Sequence, residues 1–419
     1  MPRQVLVSRS LVPWRLVAGA GLSLAVAVAV AAYWRASPSP VVPAATRVAI
    51  RLDCQDPAAC SLAASLALDV WTEHPGPGLP LDIVVTNDAL PRLRSAGVRW
   101  QVLVPDIDAV ARAEVARLQG PVAARPGDWF AEYRDYRAIA THLHELAEIA
   151  PDLATAHGIG SSLDGRTIWA LRIGGSAPDA VPMLINGTQH AREWIAAMAT
   201  TCIADRLVRG YERDPQLREF VDHTELWVVP VVNPDGYQYS WGQDRYWRKN
   251  RRDRHGVDLN RNFAVAWGGD GSSSFKRSEV YRGAYPFSEP ETAALRDLAR
   301  RERIALHIDF HAYGQLVLYP WGHTASPTRD RDRFAAVGDR MASMIFAAHE
   351  NRYVLMSAVE LYRASGVMSD WMYGEANAFS YTIELRPTRG GGFVLPPAEI
   401  RPTCDEGLAA VLALRASHR

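Results

Sequence analysis

Lysine is nearly missing from this chain. Of 419 residues only Lys249 and Lys276 are lysines, a bias of codon usage more than of chemistry. The 46 basic residues are matched by 46 acidic ones, so the formal net charge is zero. A chain without net positive charge carries no electrostatic footprint for a polyphosphate, which argues against a nucleic-acid partner. Cysteine is scarce too. There are four, and no C-x-x-C pair suggests a thiolate metal site. Apolar residues are not scarce: at 48% of the chain they can fill a large core, and the length suits two domains of ordinary size.

The N-terminus reads as an export signal. Arg3, Arg9 and Arg15 precede an uncharged, mostly apolar stretch at residues 16–34, and Ala29 and Ala31 offer a small-residue cleavage site. The stretch also approaches the ~20 residues that span a bilayer. A cleaved signal and an uncleaved membrane anchor both stay open, with the arginine end cytoplasmic. Either way the remainder is expected to be exported, secreted or periplasmic. A Ser/Pro/Ala linker follows at residues 36–45. In an exported chain four cysteines can form two disulfides. Cys54 and Cys60 are close enough to close a small loop, which leaves Cys202 for Cys404; two buried thiols are the alternative reading of that second pair.

Two folded units are expected after residue 45. Over residues 46–120 short strands (RVAIRLD, LDVW, LDIVV, RWQVLV) alternate with apolar helices (CSLAASLAL, ALPRLRSAG), the pattern of a small α/β sandwich on an antiparallel sheet. Nothing in it looks catalytic. Gly120, Pro121 and the turn at residues 125–127 mark a boundary. Over residues 121–419 an amphipathic helix at 136–150, with Ile139, Leu143, Leu146 and Ile149 at helical spacing, leads into β-branched apolar strands: TIWALRI, PMLING, ELWVVPVV, ALHIDFHAY and SYTIELR. Helices lie between several of them, so the expectation is an α/β fold with a sheet covered on both faces.

His190 and Glu193 sit three apart in NGTQHAREW, after a buried strand and at the start of a helix. His142 and Glu145 repeat the spacing inside the helix at 136–150, where a solvated face is the better reading. Ligands gather at the carboxyl ends of strands in open α/β sheets. At a helix start an imidazole and a carboxylate three apart face the same way and can share one ion. Zinc accepts both groups and needs a third protein ligand. In LHIDFHAYG a period of two puts His307, Asp309 and His311 on one face. His311 is nearest the carboxyl end and is the best third ligand; His307 reads as structural; Asp309 reads either as buried support or as part of a pocket wall. Glu384, near the end of SYTIELR, reads either as a buried acid paired with Arg386 or as a general base.

The motifs HAREW, NPDG, YWRKN, DLNRNF, HAYGQLVLYPWG, YRASG, SDW and ELR, in this order, resemble the zinc metallocarboxypeptidases of the pancreatic carboxypeptidase A/B type. The likeness runs from about Trp129 to the end. The first unit, through LDVWTEHPGPGLPLDIVV and GVRWQVLVPDIDAV, resembles that family's inhibitory propeptide. The resemblance implies a carboxypeptidase-like mixed sheet, peptide or protein C-termini as substrate, and one zinc ion per chain on His190, Glu193 and His311. It implies that Asp258 orients the first histidine, Glu384 is the general base, and Arg248 polarises the scissile carbonyl. Asn260 and Arg261 match a clamp on the substrate's terminal carboxylate, and Tyr362 matches a tyrosine that closes over the bound residue. Arg192, Tyr313 and Phe393 match the next subsite outward.

Ser369 stands where basic-specific members carry an aspartate at the pocket base. Leu318, Gly322, Ser357, Leu361, Ala364, Val367 and Thr382 would complete a mostly neutral wall. That wall favours apolar or aromatic C-terminal residues; basic ones are the alternative if Asp309 reaches the pocket. The resemblance further implies a proenzyme opened by an activating protease, near Arg112 or Arg117, with a mere folding aid as the alternative role of the first unit. A catalytically inactive binding relative should lack a ligand, the base or the clamp, and none is missing.

Overall fold

A computed structural model describes residues 46–53, 56–71, 80–119, 128–388 and 392–418. The signal-or-anchor segment, Cys54 with its expected pairing, and the expected boundary near residue 120 lie outside the described residues.

Strands β1 (Arg47–Asp53), β2 (Asp69–Val70), β3 (Pro80–Thr86) and β4 (Trp100–Val104) form an antiparallel sheet in the order β2-β3-β1-β4. Alternation decides its two faces. Val48, Ile50 and Leu52 of β1, with Leu81, Ile83 and Val85 of β3, pack with Ala63 of helix α1 (Pro57–Leu66) and Leu93 of α2 (Leu90–Ser95). Ala49 and Val84 point the other way. There they join Ile107 of α3 (Ile107–Gln119) and meet Tyr246 and Phe393 from the body of the protein.

That body is built on eight strands: β5 (Ala154–Ser161), β6 (Thr167–Gly174), β7 (Val181–Gly187), β8 (Thr224–Val229), β9 (Leu306–Ala312), β10 (Leu316–Tyr319), β11 (Val354–Ser357) and β12 (Phe379–Leu385). Their order is β11-β10-β12-β9-β7-β8-β6-β5. The central strands β12, β9, β7 and β8 are parallel, while β10 pairs antiparallel with β12, and β6 with both β8 and β5. The sheet is therefore mixed, with its four parallel strands in the middle.

Helices cover both faces. On one lie α4 (Tyr136–Ile149), α5 (Trp194–Gly210), α6 (Pro215–Asp222), α7 (Pro234–Gly242), α9 (Arg331–His349) and α12 (Ile400–Ala416); on the other lie α8 (Pro290–Arg301) and α11 (Met368–Gly374), while α10 (Ala358–Leu361) is a single turn after β11. Met183, Ile185, Leu226, Val228, Ile308, Phe310, Tyr381 and Ile383 face the first group, and Leu184, Trp227 and Val229 face the second. On β9 and β12 the second face turns polar: His307, Asp309 and His311 run beside Ser380, Thr382 and Glu384 in register. Cys202 of α5 and Cys404 of α12 form a disulfide with Cα atoms 5.8 Å apart.

Strands β5, β10 and β11 have no counterpart among the strands expected from sequence. β5 (ATAHGIGS) contains two glycines and no apolar run; β10 and β11 are four residues each. Helix α4 lies where expected, but Ile149, its last residue, is 54% exposed. His142 does not lie on a solvated face. It is buried, stacks on Trp129 at 4.2 Å, and places Nε2 2.9 Å from Asp205 and Nδ1 3.3 Å from Glu145. Asp205 and an aromatic face, rather than water, satisfy this ring.

Candidate active site and metal centre

The site lies at the carboxyl ends of β7, β9 and β12. After β7 the chain turns through residues 188–193, and helix α5 starts only at Trp194, with Glu193 in the capping position. His190 and Glu193 therefore belong to the turn before the helix, not to its first turn as the spacing suggests. A His190 C=O to Glu193 N–H bond of 3.2 Å brings the two side chains together. The turn is stapled from outside: Ala191 N–H donates to the Arg248 carbonyl at 2.8 Å, and Asn233 Nδ2 donates to the Gln189 carbonyl at 3.0 Å. Asn233 also caps α7 through its Oδ1, which gives the NPDG motif a physical reason.

His190 Nδ1 lies 2.8 Å from Glu193 Oε1, His311 Nδ1 lies 3.1 Å from Glu193 Oε2, and the two Nδ1 atoms are 3.0 Å apart. All three residues are buried, and their ligand atoms lie within 4.8 Å of one another. The opposite ring nitrogens face carboxylates, His190 Nε2 at 3.1 Å from Asp258 and His311 Nε2 at 2.9 Å from Asp309. Burial alone drives the Glu193 carboxyl up, but the facing His190 and His311 rings overcome it and hold it at about 2. Burial lowers His311, and the carboxylates of Asp309 and Glu193 raise it well above the usual imidazole range. Two ring nitrogens and a carboxylate converge there out of contact with water. Two imidazoles and one carboxylate are a donor set that zinc takes, so the residues present fit the ion.

Asp258 is fully buried and bridges two groups. Its Oδ1 meets His190 and the Asn260 N–H, and its Oδ2 accepts from Arg248 Nη2 at 2.9 Å. Burial pushes Asp258 up; Arg248, His190 and Arg261 win and hold it well below the usual range. Arg248 is thus a buried cation braced by Asp258 beside His190, not a surface arginine.

One cavity is lined by His190, His311, Asn260, Arg261, Tyr362 and Glu384, and its wall continues through Leu318, Gly322, Leu361, Ala364, Val367, Ser369 and Thr382. Ala358 belongs to it too, whereas Ser357 caps α10 with Glu360 instead. Asn260 Oδ1 accepts from the Met368 N–H at 2.8 Å, which fastens the start of α11 and its Ser369 to Asn260. The Arg261 guanidinium lies 5.9 Å from the Tyr362 ring and is braced by the carbonyls of Gly271 and Asn260. Gly366 closes the wall in a left-handed conformation (φ +73°), and a Cβ there would meet the Arg261 carbonyl at 2.4 Å.

Glu384 stands beside His311 in the parallel register of β12 and β9. Arg386, its partner in the alternative reading, is taken by Glu406 at 2.6 Å and by Glu399. Asp309 does not reach the cavity. It is fully buried, with its oxygens on Asn186, Gln189 and His311, so it is buried support and not pocket wall. His307 is likewise structural: burial lowers it to about 4, and it bonds Ser380 and Asn186.

Outside the cavity mouth, Arg192 Nη1 donates to Asp69 at 2.8 Å, and its guanidinium lies over Phe393 at 4.2 Å. The Tyr313 hydroxyl donates to Asp82 at 2.8 Å, and Arg245 pairs with Glu114. Trp71 stacks on Tyr246 and meets Phe393 edge-on. Asn233, Gln189, Asn186 and Arg245 were not singled out from sequence, since their partners lie far along the chain; NPDG alone held a signal for one of them.

The zinc carboxypeptidase family model (Peptidase_M14) matches residues 139–410. Carboxypeptidase B2 of Bos taurus is 33% identical over 338 residues, covering 78% of this chain and 79% of the relative. Carboxypeptidase A1 of Mus musculus is 29% identical over 363 residues, covering 83% and 87%. Among solved structures, thrombin activatable fibrinolysis inhibitor aligns with a TM-score of 0.82 at 29% identity, covering 88% of this chain and 98% of that one. Carboxypeptidase A from Helicoverpa armigera aligns with a TM-score of 0.78 at 28% identity, covering 89% and 98%. The chain belongs to the zinc carboxypeptidase family. It is a metallocarboxypeptidase, an exopeptidase acting on peptide C-termini.

Proposed function

We propose that this protein is an exported, latent carboxypeptidase of the A/B type that removes apolar or aromatic residues from peptide C-termini. The supporting observation is the cavity itself, where Asn260, Arg261, Tyr362 and Glu384 share one space with two metal ligands and an otherwise neutral wall. In this reading His190, Glu193 and His311 hold one zinc ion. Bound there, zinc supplies Lewis acidity toward the scissile carbonyl and toward water. Arg261 and Asn260 take the substrate's terminal carboxylate, the planar guanidinium through paired hydrogen bonds. An internal peptide bond offers no such anion, so only the last residue is removed.

Glu384 takes a proton from the attacking water as the new C–O bond forms. It returns that proton to the amide nitrogen as the C–N bond breaks. Arg248, a charge already fixed by Asp258, lies on the side where negative charge develops on the carbonyl oxygen. Tyr362 closes over the bound residue and excludes water. Ser369 and the neutral wall provide no carboxylate for an arginine or lysine side chain. Arg192, Tyr313 and Phe393 take the preceding residue.

Latency is supported by three carboxylates of the first unit: Asp69 and Asp82 engage Arg192 and Tyr313 of the outward subsite, and Glu114 engages Arg245. An activating protease has to reach the connection between the units. Arg112 and Arg117 both lie within α3, so cleavage after either needs that helix to unwind. Export is supported by the Cys202–Cys404 disulfide. Among the described residues no helix is long and apolar enough to cross a membrane.

A panel of acylated dipeptides varying only the final residue tests this reading. Phe and Leu should be released fastest, with loss of turnover in o-phenanthroline; faster release of Arg or Lys overturns the assigned preference.

A further inference from the structure

Asp309 is the least explained charge near the site. It is fully buried, contributes nothing to the cavity wall, and stands two residues before His311 on the same face of β9. Its Oδ1 accepts from Asn186 Nδ2 at 2.7 Å and its Oδ2 from Gln189 Nε2 at 2.6 Å. The same Oδ2 lies 2.9 Å from His311 Nε2. Behind it the polar strip continues across the sheet: Asn186 Oδ1 meets His307 Nε2 at 2.8 Å, and His307 Nδ1 meets the Ser380 hydroxyl at 2.7 Å. All of these side chains are at most 1% exposed.

The protons in this strip have one consistent arrangement. The Asn186 and Gln189 amide groups both present N–H to Asp309, so both of its oxygens act as acceptors. Asn186 then has only its carbonyl oxygen left for His307. His307 must donate from Nε2, and its Nδ1 accepts from Ser380, as suits a neutral ring. At the other end an acceptor oxygen lies 2.9 Å from His311 Nε2. Two lone pairs at that distance repel, so Nε2 carries the hydrogen and Nδ1 keeps its lone pair toward His190 and Glu193. Asn260 Nδ2, at 3.4 Å from the same Nε2, is the more distant neighbour.

We propose that Asp309, anchored from behind by Asn186 and Gln189, is a positioning residue for the metal: it fixes the His311 proton on Nε2 and keeps Nδ1 available as a ligand. It would do for His311 what Asp258 does for His190. The two ligand imidazoles then each have a carboxylate behind them, one from the loop at Asp258 and one from the sheet. Groups that orient a metal-binding histidine in this way contribute about 10–100-fold in metal affinity. This inference rests on the proposed zinc ligand set.

The test is zinc affinity of the full chain, measured by competition with a chromogenic chelator, for the unsubstituted protein, Asp309→Asn and His311→Ala. Expected are one zinc per chain, its loss in His311→Ala, and a dissociation constant raised about 10–100-fold in Asp309→Asn. The hydrogen-bonded imidazole N–H proton signal of His311 should also shift or vanish in Asp309→Asn. Unchanged affinity and an unchanged signal in that variant, even with a lower melting temperature, make Asp309 a purely structural residue and overturn the proposal. Should Asp309→Asn fail to fold, Asn186→Ala decides: a smaller loss of affinity supports the proposal, and no loss overturns it. If His311→Ala retains zinc, the ligand reading fails and this inference fails with it.

Discussion

Glu384 and Glu291 are both acids at or near the sheet, and their surroundings give them opposite uses. Glu384 is only partly buried and opens onto the cavity. Glu384→Gln keeps the shape and removes the base, so turnover should fall about 10²–10⁴-fold with zinc retained; undiminished turnover refutes the assignment. Glu291 is fully buried, and its Oε1 has no hydrogen-bond partner among the described residues. Asn250 Nδ2 reaches both Glu289 and Glu291, while Arg252 forms its direct ion pair with Glu289. Burial, aided by the Glu289 charge, pushes Glu291 up to about 8. A folded-state value above the unfolded one means stability that is full below the unfolded value, near 4.5, and is lost as pH rises through about 8. Glu291→Gln should therefore melt higher than the unsubstituted protein at pH 8, by about 1–2 °C per kcal/mol recovered, with the gap closing toward pH 5. A gap independent of pH contradicts the buried-proton account.

At the scale of elements, α5 and α12 are tied by a disulfide whose cysteines are 202 residues apart. Removing a native disulfide costs about 2–5 kcal/mol, so the Cys202→Ala/Cys404→Ala protein should melt lower while keeping its turnover at 25 °C. Equal melting temperatures would mean that packing between the two helices suffices.

The same elements show what a sequence can disclose. The long apolar runs of β7, β8, β9 and β12 and the 17 residues of α5 were legible because both faces of a central strand are buried and a long helix repeats its period. β5 was not, since its two glycines and its polar residues interrupt any apolar run in this edge strand. The period of two put His307, Asp309 and His311 on one face, but it could not tell which of them meets the cavity. The answer depends on Asn186 and Gln189, which are 123 and 120 residues away from Asp309. The His190–Glu193 spacing suggested a helical turn where the chain has a non-helical one, because i to i+3 closeness is common to both. The burial of His142 was hidden for the same kind of reason, its partners Asp205 and Trp129 being supplied by other elements.

At the scale of the whole molecule, the small sheet seats Trp71 between Tyr246 and Phe393 and sets Asp69 on Arg192. Arg192 and Arg245 are almost completely buried in these contacts, so they are shielded from salt far better than exposed pairs. If the first unit inhibits as proposed, that inhibition should persist at high ionic strength and end on proteolysis. Limited trypsin should raise turnover of a small acylated dipeptide, and no gain on cleavage would make the first unit a folding aid only.

The central claim is that one cation joins the turn after β7 to the end of β9. An anomalous difference map collected at the zinc edge from crystals of the full chain tests it most directly. The expected result is a single strong peak within bonding distance of His190 Nδ1, His311 Nδ1 and a Glu193 oxygen. A zinc-replete crystal with no peak there, or with its peak at another set of side chains, would contradict the account.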